Sequence, residues 1–140
     1  MNRIMEWHIG VITQTARTLL LHAMAKWPTV ITEEFWPYAI CHACTFCISS
    51  ICSDTGHSPH HMFTGEEAPW RMEHFRVFGS PDVFVLYKHL QDSDSLPKWK
   101  ACSWLGIFFR HSLAHSGNIP MVYNPMMTNI SPQFHVVFQD

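Results

Sequence analysis

Apolar residues in the first 25 positions recur at the spacing of an α-helix. They are Ile4, Trp7, Val11, Ile12, Ala16, Leu19, Leu20 and Ala23. The pattern predicts an amphipathic helix over about residues 3–25. Trp27-Pro28 should end it, because the residue before a proline disfavours the helical region of backbone space.

Two further helices are predicted before residue 68. One can be capped by Thr32 and continues to about residue 50, and because Pro37 sits near its first turn it either begins effectively around residue 36 or carries a kink. A short one spans residues 59–64, where Ser58-Pro59 supplies a cap and a proline at the first helical position. The first two helices, joined by a short linker, predict an antiparallel helical hairpin.

Beyond residue 69 the pattern changes to short β-type runs separated by turn-rich stretches at 92–97 and 116–118. The predicted strands are residues 76–78, 83–87, 105–109, 119–123 and 134–138. Five such strands predict a small antiparallel barrel. The expected fold class is therefore α+β, with a helical hairpin in residues 1–68 and a β-barrel in residues 72–140.

Composition narrows the classes of function. Charged residues make up 14% of the 140 positions, below the roughly 25% usual for globular domains. The formal net charge is -2, so no global positive field indicates nucleic-acid binding. No apolar run spans a bilayer and no signal peptide pattern appears, so we expect neither a membrane partner nor secretion. Five cysteines, an odd number, favour reduced thiols in an intracellular compartment.

A cluster of cysteines allows two interpretations. Cys41, Cys44, Cys47 and Cys52 lie near His42, His57, His60 and His61. Zinc favours such Cys/His sets, so a zinc-binding module is one alternative. Spacings of three within a predicted helix also trace one face, which favours small, partly buried core residues. No Ser-His-Asp pattern and no glycine-rich phosphate loop accompany the cluster.

Five motifs, in this order, resemble the C-terminal part of the integrases of copia-type LTR retrotransposons. They are Asn2-x-x-x-Glu6 with ARTLL at 16–20, FWPYA at 35–39, SPHHMF at 58–63, FRVFGSP at 75–81 with LGIF at 105–108, and SPQFHVVF at 131–138. The resemblance covers essentially the whole chain. It implies that the helices are a remnant of an RNase H-like catalytic core and that the barrel is SH3-like.

In that family an Asp-Asp-Glu set holds two Mg²⁺ ions for DNA integration in the nucleus, and the resemblance makes Glu6 its glutamate and a metal ligand. The two aspartates come from strands upstream of this helix, whereas the chain starts five residues before Glu6. We therefore expect a truncated fragment of a Pol polyprotein that binds no Mg²⁺ and is catalytically inactive alone.

The family usually carries arginines at several positions where this chain has other residues. These are Trp7, His8, Gly10, Cys41, Cys102 and Trp104. Cysteine, histidine and tryptophan codons are each one transition away from an arginine codon, which predicts a degenerate copy of the element. Each lost arginine would remove a phosphate contact, and the decay would also explain why the chain lacks the positive net charge of a DNA-binding protein.

The remaining basic residues predict at most weak binding to DNA. The candidates are Arg3, Arg17, Lys26, Lys98 and Lys100, and Lys98-Trp99-Lys100 also combines charge with a ring that can stack. Ordinary solvated charges are the alternative. The helical part should be poorly stabilised, with Trp7, Val11, Leu19 and Leu20 exposed or paired with another chain. Self-association or a non-catalytic role in protein interaction is therefore a second possibility.

Overall fold

The computed structural model describes residues 2–87, 99, 101–115 and 119–139 and shows an α+β fold in them. Its α-helices are α1 (Arg3–Lys26), α2 (Trp36–Ser49) and α3 (Pro59–Thr64), with 3₁₀ turns at Glu33–Phe35 and Met72–His74. Its strands are β1 (Ser80–Leu86), β2 (Ser103–His111), β3 (Pro120–Asn124), β4 (Asn129–Pro132) and β5 (Val136–Phe138). The predicted fold class is confirmed at this level.

The first and third predicted helices are confirmed to within one residue at each end, and of the starts left open for the second helix the structure shows the one at Trp36. The short helix α3 shows why, since the Ser58 hydroxyl accepts a hydrogen bond from the His61 N–H at 3.1 Å. Gly65 closes it with a left-handed φ of 77°. Thr32 does precede the 3₁₀ turn that leads into α2, but its side chain makes no capping hydrogen bond.

The described strands form one antiparallel sheet in the order β4-β3-β2-β1-β5. Four predicted strands overlap observed ones, while β4 was not predicted. The predicted strand at 76–78 is wrong, because this stretch is not part of the sheet and leads into Gly79, whose φ of 76° ends any extended run. The predicted turns at 92–97 and 116–118 lie outside the described residues.

The sheet is strongly curved. Its two edge strands, β4 and β5, are joined by only three residues. The four Cα steps from Pro132 to Val136 reach at most about 15 Å, whereas the edges of a flat five-stranded sheet lie about 19 Å apart. The edges must therefore bend toward each other.

Both faces of the curved sheet carry buried residues. Val83, Val85, Phe108 and Val122 are buried together on one face, with partly buried Trp104, Val136 and Phe138 against them. The other face joins the helices in a shared core. Its buried members are Ala16, Leu20, Ala23, Ile31, Ala39, Ala43, Phe78, Ile107, Phe109 and Tyr123. One continuous core therefore contains residues from both sides of the segment 69–71, that is, from the helices and from the sheet.

This shared core corrects the expectation of an unpacked helical part. Leu20 is only 8% exposed and Leu19 packs against the same cluster, so the prediction was wrong for both. Trp7 is 64% exposed and Val11 36% exposed, as expected. The physical reason is that the C-terminal part of α1 packs against α2 and against the segment before β1, where Gly79 lies close to Ala23.

Candidate nucleic-acid interface

Glu6, the predicted catalytic carboxylate, lies in the first turn of α1 and is exposed. The positive end of the helix dipole favours an acidic side chain there without any ligand. Across the described ranges, His, Cys, Asp and Glu side chains form no group of three or more that could hold a metal ion. The described part of this chain therefore does not build a metal centre around Glu6.

Arg3 and Arg17, two predicted DNA contacts, share one face of α1 with Glu6. At 100° per residue these three positions fall within about 60° of one another around the helix, and all three side chains are exposed. The arginines are about 21 Å apart along the axis. We call this exposed face, defined by Arg3, Glu6 and Arg17, the polar stripe.

Lys26 does not join the polar stripe. It lies at the last turn of α1 on the opposite side of the helix and lines a crevice of about 210 Å³ with His22, Trp27 and residues 77–81. Lys98 and Lys100 lie outside the described residues, and Trp99 between them is 92% exposed. The structure thus brings together two of the five predicted basic contacts.

Two other arginines are used within the fold. The guanidinium carbon of Arg76 lies 4.6 Å from the centroid of the Phe138 ring, a cation–π contact between the segment before β1 and strand β5. A side-chain nitrogen of Arg110 on β2 donates to the His111 carbonyl at 3.4 Å. Both arginines are half-buried, which leaves them poorly placed for phosphate contacts.

Three of the four cysteines that suggested a zinc-binding module lie along helix α2. Cys41, Cys44 and Cys47 are half-buried on α2, Cys52 is exposed beyond it, and all are free thiols. Burial raises the pKa of Cys44, and the neighbouring Cys41 and Cys47 raise it further. Protonated thiols are poor zinc ligands, and the described residues assemble no metal-binding group from these side chains.

A buried pair of histidines was not identified from the sequence. His42 on α2 is 4% exposed and packs among the rings of Phe75, Phe78 and Phe108 at 5.8–6.1 Å. Burial lowers its pKa to about 4, and the nearby His111 adds to this lowering. Since a carbonyl only accepts, Nε2 of His111 donates to the His74 carbonyl at 3.1 Å. No local motif marks this pair, because tertiary packing alone brings α2 to β2.

A cavity of about 410 Å³ lies where the end of α2 meets α3 and the segment 67–73. The residues Ser49, His57, His61 and Trp70 line it, together with charged side chains.

No helix in the described ranges is both long and apolar enough to cross a membrane. Comparison with protein-family models, curated proteins and solved structures gave no match.

Proposed function

We propose that this chain is the C-terminal part of a copia-type retrotransposon integrase, containing the end of an RNase H-like core followed by an SH3-like domain. The activity that we propose for the residues of this chain is weak binding of nucleic acid. The observation that carries the proposal is the order and spacing of the five motifs, which run through the whole chain.

The positions of these motifs in the fold support the proposal. Glu6 falls in the first turn of a long helix, and the SPHHMF motif coincides with the capped helix α3. The FRVFGSP motif leads into β1, which lies in the sheet between the central strand β2 and the edge strand β5. The five described strands, which form a sheet whose edges curve toward each other, also suit a small SH3-like barrel.

The start of α1 offers a second line of support. Residues 3–11 are all exposed, including Ile4 at 70% and Trp7 at 64%. Exposed apolar side chains in a row indicate a surface that packs against something else. In an intact catalytic core, this stretch would have a sheet to pack on.

The expected chemistry follows from the number of carboxylates. Two-metal phosphoryl transfer needs several oxygen ligands around two ions about 4 Å apart, and Glu6 supplies one carboxylate.

Binding to DNA would use the two arginines of the polar stripe. Two phosphate contacts give a slope of about -2 for the logarithm of affinity against the logarithm of salt concentration.

Fluorescence anisotropy with a labelled DNA duplex at several salt concentrations tests the proposal. We expect weak binding with a slope of about -2, and loss of most of that slope in the double variant Arg3→Gln/Arg17→Gln. Lys26→Gln is the matched control, because Lys26 lies on the opposite side of α1, and it should leave affinity within twofold. Affinity that does not change with salt would contradict the electrostatic interpretation.

Self-association is the second candidate, favoured by the exposed Ile4, Trp7 and Val11 on one side of α1. Two copies present the same apolar surface, which is what a symmetric dimer requires. Sedimentation velocity over a range of protein concentrations should then show a monomer–dimer equilibrium that Trp7→Glu abolishes. A monomer at every concentration would exclude this candidate.

A further inference from the structure

The cavity between α2, α3 and the segment 67–73 contains polar groups that the protein leaves unsatisfied. The Ser49 hydroxyl and Nδ1 of His61 are both buried, and neither has a hydrogen-bond partner. Ser49 is 4% exposed, and both side chains line the cavity. Buried polar groups in native proteins are nearly always paired, so an unpaired one requires an explanation. A ligand with its own polar edge would supply the missing partners.

Flat side chains form part of the wall. The imidazole rings of His57 and His61 are stacked, with centroids 4.5 Å apart and planes at 16° to each other. Trp70 is half-buried and lines the same cavity. Histidine and tryptophan rings are the surfaces on which proteins stack unpaired bases. The shape of the wall therefore suits a planar ligand.

The charged side chains around the cavity restrict the kind of ligand that it can bind. Glu67, Arg71 and Glu73 all line the cavity, and a guanidinium nitrogen of Arg71 lies 3.7 Å from a carboxylate oxygen of Glu73. Two carboxylates against one guanidinium disfavour a bare phosphate inside, whereas a carboxylate can accept hydrogen bonds from N–H groups. Guanine presents such groups on its Watson–Crick edge. At about 410 Å³ the cavity falls in the size range of small-ligand sites.

We propose that this cavity binds one unpaired nucleobase of a single-stranded nucleic acid, with a preference for guanine. Trp70 and the histidine pair stack on the base, Glu67 or Glu73 accepts from its N–H groups, and Ser49 satisfies its remaining polar edge. The biological setting of the site rests on the proposed nucleic-acid function. The binding itself is measurable independently of that function.

The test uses the full chain and labelled single-stranded decanucleotides at 200 mM salt, where binding to phosphates is weakened. One probe is all thymine and the other carries a single central guanine. We expect the guanine probe to bind more tightly and free dGMP to compete with it. Trp70→Ala should lower its affinity about 5- to 100-fold, the range for one base stacked on an aromatic ring.

Three variants separate the site from general loss of structure. Trp70→Phe keeps a stacking surface and should retain affinity within about threefold, while Glu67→Gln/Glu73→Gln should remove the preference for guanine. Trp36→Ala is the matched control, since Trp36 is also partly exposed but lies at the opposite end of α2. Circular dichroism of each variant confirms that it is folded.

The outcomes distinguish this inference from the proposed function. Duplex binding that depends on salt, together with guanine-probe affinity that Trp70→Ala leaves unchanged, would overturn the cavity site alone. Binding of dGMP that requires Trp70, without salt-dependent duplex binding, would support the cavity and contradict the proposed function. A lysine-rich peptide that binds through Trp70 while the oligonucleotides do not would overturn the nucleobase assignment.

Discussion

The two halves of helix α1 have the same kind of sequence and different surroundings. Residues 12–26, the packed half, place Ala16, Leu20 and Ala23 in the core shared with the sheet. Residues 3–11, the projecting half, carry apolar side chains at helical spacing that remain exposed. An apolar pattern therefore indicates that a helix face needs a packing partner, whereas burial of that face depends on whether the same chain supplies the partner.

Small residues explain why the packed half fits so closely. Ala16 and Ala23 on α1 and Ala39 and Ala43 on α2 are all at most 4% exposed, and side chains of this size let helices approach each other closely. The segment before β1 comes equally near, because a Cβ built on Gly79 would lie 2.5 Å from the Cβ of Ala23. The projecting half has no neighbour of this kind.

The largest expected difference between the two halves comes from truncating one large side chain in each. Leu20→Ala should lower the free energy of unfolding by about 3 kcal/mol, because it removes buried methyl groups and leaves a cavity. Trp7→Ala removes a larger side chain that is 64% exposed, and it should change stability by less than about 0.5 kcal/mol. Urea denaturation of both variants measures the difference. Equal losses would show that Trp7 is buried in solution, as in a dimer.

Glycine substitutions give the next largest contrast. Gly79→Ala should cost about 3 kcal/mol, because Gly79 has a φ of 76° and the new Cβ would meet Ala23. Gly10 lies within the projecting half with nothing within 4 Å of a new Cβ. Gly10→Ala should therefore stabilise the protein by up to about 1 kcal/mol through helix propensity.

Gly65→Ala separates the two causes at Gly79. Gly65 has nearly the same φ, 77°, but open space around a new Cβ. Its substitution should cost about 1 kcal/mol, the conformational part alone. If thermal unfolding shows the same loss for Gly65→Ala and Gly79→Ala, the close approach to Ala23 does not limit stability and the packed half is looser than the structure indicates.

The sequence was sufficient to locate the helices and four of the five described strands, but not to assemble them. Helix boundaries followed from local chemistry, such as the Ser58 cap and the proline at position 28, and those predictions are confirmed. The strand predicted at 76–78 was wrong because alternation describes a side-chain pattern, whereas a strand also needs a paired neighbour. Burial of Leu20 could not be predicted, since the core that contains it also includes Phe78 and Phe109, which lie more than fifty residues away in the sequence.

The candidate sites also differ in whether the sequence alone could locate them. Arg3 and Arg17 could be placed on one helix face from their spacing alone, and the structure has them there. The cavity beside Trp70 could not be predicted, because it is formed by three segments that meet only in the folded chain. The integrase resemblance and its functional consequences stay predictions that rest on the motifs.

Acid should loosen the packed half more than the projecting half. His42 lines a crevice of about 260 Å³ with Thr15 and Leu19 of the packed half, and burial lowers its pKa from 6.5 to about 4. Between these values the unfolded chain binds a proton that the folded chain does not, so stability present above pH 6.5 is lost as the pH falls toward 4. Urea denaturation should show a loss of about 2 kcal/mol between pH 7 and pH 5 from this group.

The variant His42→Gln identifies the source of that loss. A glutamine does not titrate and can still donate to the backbone of Arg76, with which His42 forms a hydrogen bond. Between pH 7 and pH 5 the free energy of unfolding of this variant should therefore fall by about 2 kcal/mol less than that of the original protein. Amide hydrogen exchange at pH 5 locates the effect, because weakened contacts beneath α1 should lower protection in residues 12–26. If the pH dependence of His42→Gln is unchanged, the loss comes from another group, and the neighbouring His111 on β2 is the first residue to replace.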